Sequence, residues 1–152
     1  MIPIETLIKN RIDLVLNSVP EIAMVQSFPF ETITWELASL PFCIFEVEES
    51  RWENRNRLER YDCTLSIETW FKIPSNDNEN YKDRGIYINA IIHKYLLNDC
   101  TNKEVGLGKF LSNIVKQAPN YLKPDEEHGV AQLFYLISFL TKYGDPFTQS
   151  NY

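Results

Sequence analysis

The chain has 152 residues, 15 Lys and Arg against 21 Asp and Glu, and a net charge of −6. A protein that neutralises many phosphates carries a basic excess, so nucleic acid is a poor principal partner. With 44% hydrophobic and 13% aromatic residues, the composition excludes a largely disordered chain and suits one domain over 1–152.

The first stretch, MIPIETLIKNRIDLVL, is broken by Glu5, Lys9, Arg11 and Asp13, so it does not read as a secretory leader. No apolar run reaches the roughly 20 residues of a membrane span. A cytoplasmic protein with no membrane contact is expected. Ile4, Leu7, Ile8, Ile12, Val15 and Leu16 recur at three- and four-residue spacing, which predicts a helix over 3–19, opened by Pro3 and stopped by Pro20. A short strand is expected at 22–25. Residues 28–41 read as an irregular connection, with one helical turn at 34–38.

The strongest local signal lies further on. From Tyr61 to Ile73 apolar and polar residues alternate, and Cys43, Phe45 and Val47 alternate with Ile44, Glu46 and Glu48. Pairing about a turn near Asn54 sets Cys43 against Leu65, Phe45 against Cys63 and Val47 against Tyr61, with both apolar faces on one side. A long antiparallel hairpin follows from that pattern. Residues 75–85 read as a turn. Ile88, Ile91, Ile92, Tyr95 and Leu96 predict a second helix ended by Asn98-Asp99. Residues 107–118 suit either a helix or a strand ending at Pro119, and the strand is preferred. Turn 123–129 leads into a strand over 130–143, covered on both sides. The last residues, 146–152, are expected to form a flexible tail that frays or docks on a neighbour. The fold class is therefore α+β: a mainly antiparallel sheet with a long β-hairpin and helices packed on one face.

Chemistry is sparse. Cys43, Cys63 and Cys100 are odd in number and lack a CxxC spacing, which argues against a disulfide framework or a zinc site. There is no HExxH, GxSxG, Walker loop or dinucleotide fingerprint. Gly106-Leu107-Gly108 lacks the third glycine of a phosphate cradle. His93 on a helix flank and His128 in an acidic turn read as solvated side chains. Glu46 and Glu48 fall on one strand face about 7 Å apart. They are either a solvated face or, in a rival reading, the paired carboxylates of a small enzyme or ligand-binding domain. No catalytic residue, cofactor site or metal site is expected. The feature singled out is the hairpin end, where Arg51, Arg55, Arg57 and Arg60 surround Trp52. Arg and Trp are enriched where subunits grip each other.

Taken in order, the helix IETLIKNRIDLVLNSVP, the strand IAMV, the Leu-Pro entry SLPFCIFEVEES, the strand ERYDCTLSIETWFKI, the helix INAIIHKYLLND and the closing strand QLFYLISFLTKYGDP resemble the tail terminator (tail completion) proteins of tailed bacteriophages and related particles. The resemblance spans roughly residues 3–146. It implies a structural subunit without catalytic residues that forms a ring, expected to be a hexamer, on the last ring of the tail tube. That ring would stop tube polymerisation and offer a surface for head joining. The implied partners are copies of itself, the tail tube protein and a head-completion protein. The implied location is the virion tail, after assembly in the cytoplasm of the bacterial host. Another assembly protein of the head–tail neck is the nearest alternative.

Overall fold

The computed structural model describes residues 1–27, 40–73 and 80–150. Helix α1 spans Ile4–Asn17 and buries Ile4, Ile8, Ile12, Val15 and Leu16, the stripe that its spacing predicts. Strand β1, Met24–Ser27, lies parallel to the start of β2, Phe42–Arg55. A tight turn leads to β3, Leu58–Lys72, and helix α2 follows at Tyr81–Cys100. After a 3-10 turn at Leu107–Lys109 come β4, Leu111–Lys116, and β5, Asn120–Leu122. The chain closes with β6, His128–Lys142, and β7, Asp145–Gln149.

The sheet runs β1-β2-β3-β6-β4, and all pairings except β1 with β2 are antiparallel. Strand β6 is its spine. One edge pairs with β3 from Lys72↔His128 to Leu58↔Lys142, and the other receives β5, β4 and β7 in succession. Cys43, Phe45, Leu65, Ile67, Leu133, Tyr135 and Ile137 point to one side and form a single core with Ile8, Ile12 and Leu16 of α1 and Ile92 and Leu96 of α2. Both helices therefore cover the same face. Each such side chain, fully buried, contributes roughly 1.5–3 kcal/mol.

Several expectations change. Cys43 faces Thr69, Phe45 faces Ile67 and Val47 faces Leu65, so the hairpin register lies four residues from the predicted one. The turn is at Asn56-Arg57 instead of Asn54. Both residues have positive φ (42° and 73°), the geometry of a two-residue turn matched to strand twist, and a bulge between Glu49 and Arg51 absorbs one residue. An even-numbered slide leaves every side chain on its predicted face, which is why alternation alone did not detect it.

Helix α2 begins at Tyr81, inside the stretch read as a turn. Gly85 and its polar neighbours suggested a loop, yet Gly85 is buried where a Cβ would lie 2.7 Å from the Tyr121 ring, so its smallness lets the helix settle on β5. Residues 107–118 are a 3-10 turn followed by a strand. β5 was not foreseen. The expected tail is instead β7 as far as Gln149, turned back onto β6 through Gly144 at φ 72°. The predicted connection at 28–41 lies outside the described residues except for Leu40 and Pro41.

Candidate functional site

The hairpin end is not a free two-stranded arm. Because β6 follows β3 to Leu58↔Lys142, the end is three strands wide. The chain leaving β6 also ties it down: Tyr143 N–H donates to the Arg57 carbonyl at 3.0 Å and Gly144 N–H to Glu59 Oε1 at 3.0 Å. Tyr61 donates to Glu59 Oε2 at 2.9 Å and stacks on Phe139 with centroids 5.0 Å apart. These contacts hold the Glu59 carboxyl below its ordinary range, the Gly144 N–H first and the Tyr61 hydroxyl second. The end is a braced platform.

The residues expected to crowd this platform separate onto its surfaces. Arg51 and Arg60 share one sheet face, opposite Asp62 and Glu53 respectively in the pairing of β2 with β3. Arg51 is exposed and lies 3.7 Å from Glu53. Arg60 is not an open contact residue: its Nε donates to Asp62 Oδ1 at 3.0 Å and its Nη2 reaches Ser138 Oγ at 3.4 Å. Asp62 is buried and also accepts from Ser138 Oγ at 2.6 Å. Burial pushes its carboxyl up, but the bonds from Ser138 and Arg60 outweigh that and leave it below the ordinary range. Trp52 stands across from Tyr61 on the other face, 50% exposed. Arg55 ends β2 opposite Leu58, and Arg57 occupies the turn, exposed to solvent. Glu59, Tyr61, Asp62 and Phe139 brace the site and were not singled out. Their sequence signal is faint, since each reads as one more member of an alternating strand.

The other candidates resolve into structural roles or open surface. Glu46 lines a depression of about 290 Å³ with Ile44, Ser66, Glu68, Gln132 and Phe134, but Glu48 is not in its lining. Glu68 there is already held by Trp70 Nε1 at 3.2 Å and Gln132 Nε2 at 2.9 Å. Among the described residues no group of His, Cys, Asp and Glu is placed to hold a metal ion. His93 is half-buried, not solvated. Its Nδ1 lies 2.7 Å from the hydroxyl of the fully buried Tyr135, and burial, aided by Lys116, lowers its pKa. His128 opens β6, with Nδ1 2.9 Å from Asp125. Gly106 and Gly108 pack against the end of α2, where a Cβ would lie 2.4 Å from the Asp99 carbonyl and 2.2 Å from that of Cys100. Cys43 and Cys63 are buried free thiols, and desolvation pushes both up to about 12.

These shifts set an expected pH profile. His93, Glu59, Asp62 and Asp99 all have folded pKa values below their ordinary ones. The unfolded chain then binds more protons, so stability is lost as pH falls, from about 6.5 for His93 and from about 4 for the carboxylates. For the two thiols the sign reverses: stability holds below their ordinary value of 9 and is lost as pH rises toward about 12. Urea midpoints measured from pH 3 to 11 should fall at both ends. A flat acid limb would contradict the hydrogen-bonded carboxylates.

Compared with protein-family models and with curated proteins, the sequence matches none.

Proposed function

We propose that this chain is a tail terminator subunit of a tailed bacteriophage or a related particle, acting through subunit contacts and without catalysis. The reading is that it forms a ring on the tail tube, stops tube growth and prepares the surface for head joining. The observation that carries it is the element order: amphipathic α1, the short β1, the long β2–β3 hairpin, α2, and the closing aromatic strand β6 ahead of Gly144-Asp145-Pro146. That is the order on which the resemblance rests.

A second observation supports contact at the hairpin end. Arg57 holds φ 73°, where a residue with a side chain costs about 1–2 kcal/mol and glycine costs none. A sequence under selection for stability alone would favour glycine there, which supports a contact role for the arginine. Arg57→Gly should therefore stabilise the isolated domain by about 0.5 kcal/mol or more, after allowing for glycine's own chain entropy. The same variant should weaken ring formation.

The direct test adds the protein to polymerising tail tube subunits and examines the products by electron microscopy. Short tubes with a ring at one end are expected. Tubes that grow as long with the protein as without it would sink the reading.

A further inference from the structure

We infer that copies of this chain join head to tail, the outer edge of β4 adding to the outer edge of β2 so that the sheet continues from subunit to subunit. The inference rests on the ring reading above and names the surfaces that would close such a ring.

Among the described residues the sheet ends in two open edges. Strand β1 pairs only with Phe42 to Phe45, so from Glu46 to Arg55 no described strand lies on the outer side of β2. At the opposite end β4 pairs with β6 on one side, and no described strand pairs with its other side. Each edge offers backbone N–H and C=O groups that another strand can pair.

Their charges are opposite. The segment EVEESRWENR (46–55) carries Glu46, Glu48, Glu49 and Glu53 against Arg51 and Arg55. β4 itself carries Lys116, the 3-10 turn before it Lys109 and the chain after β5 Lys123, with no acidic residue from 105 to 124, within a chain of net charge −6. Glu48, Glu49, Lys109 and Lys116 are all exposed. Each edge also presents one large apolar side chain to solvent, Trp52 at 50% and Val115 at 45% exposure.

This distribution selects the mode of pairing. Two β2 edges brought together join segments that each carry four Glu against two Arg, and two β4 edges join segments that carry only positive charge, so both symmetric dimers are disfavoured by net charge. Acidic edge against basic edge is the combination left. Such a contact is heterologous, and it repeats until the rotation between neighbours closes a ring or leaves an open filament.

The test uses the full chain and sedimentation velocity over a concentration series. Lys109→Glu with Lys116→Glu makes both edges acidic, and Glu48→Lys with Glu49→Lys makes both basic. Each double variant should associate at least about tenfold more weakly than wild type, with an unchanged circular dichroism spectrum. Mixing the two in equal amounts should restore the assembly, because acidic and basic subunits then alternate. Wild-type assembly should also weaken as salt is raised. A wild-type oligomer that survives in both variants, or that ignores salt, overturns the edge joint and leaves the ring standing. A wild-type protein that stays monomeric alone and with tail tubes overturns both.

Discussion

Replacing Asp99 with alanine should lower the unfolding free energy by about 2–3 kcal/mol, somewhat less than breaking a fully buried pair costs because both side chains keep some solvent contact. Asp99 sits at the C-terminal end of α2, where a negative charge is poorly placed against the helix dipole. It is tolerated there because of its partners. Arg11 of α1 donates to it twice, at 2.6 and 3.0 Å, and the Leu107 N–H donates at 2.8 Å. Burial raises the carboxyl, and these donors more than reverse the effect, so it stays ionised well into acid. One side chain thus fastens α1, the end of α2 and the 3-10 turn. Alanine leaves Arg11 without its partner and the Leu107 N–H without an acceptor. An asparagine side chain would keep an acceptor for the Leu107 N–H, so Asp99→Asn should cost clearly less. Urea unfolding of both variants measures the difference, and equal midpoints for Asp99→Ala and wild type would remove the pair from any role in stability.

Phe45→Ala should cost more, about 3–5 kcal/mol. Phe45 is 1% exposed, opposite Ile67 on one side and Ser27 on the other, in the core shared with both helices. Truncation removes the ring and leaves a cavity that the flanking strands, hydrogen-bonded on both sides, cannot readily collapse. A loss of that size is a large part of the 5–15 kcal/mol typical of a domain. Thermal melts and limited proteolysis would register it. A variant within about 1 kcal/mol of wild type would mean that the β2 side chains pack differently from the arrangement described here.

The parts of the fold carried by periodicity were readable from the residues. The α1 stripe, the alternation of β3 and the aromatic run of β6 each depend on side chains a few positions apart, and local spacing reports them directly. What escaped depends on contacts distant in sequence. The four-residue register slide follows from where Asn56-Arg57 turns and where the strand bulges, and an even-numbered slide leaves Cys43, Phe45 and Val47 on the face that alternation gives them. The start of α2 was hidden because Gly85 reads as a loop former until Tyr121 is seen against it. β5, Asn-Tyr-Leu, and β7, Asp-Pro-Phe-Thr-Gln, are too short to show a period and are defined by their pairing with β6. At the hairpin end the arginines were plain in sequence. That Arg51 shares a face with Arg60, with Trp52 on the other, was not, because the bulge after Glu49 decides it. Nor could spacing show that Arg60 is claimed by Asp62, a neighbour two residues along the same strand, and by Ser138 across the sheet.

The spine position of β6 also bears on synthesis. On the ribosome the β2–β3 ribbon emerges well before its second neighbour: Glu68 meets Gln132, 64 residues later. At about 5–20 residues per second, the far side of β3 spends several seconds without a mate. During that interval nascent chains on one polysome expose matching ribbons to each other. Slowing translation between α2 and β6 should therefore lower the soluble yield even when the finished molecule is unchanged.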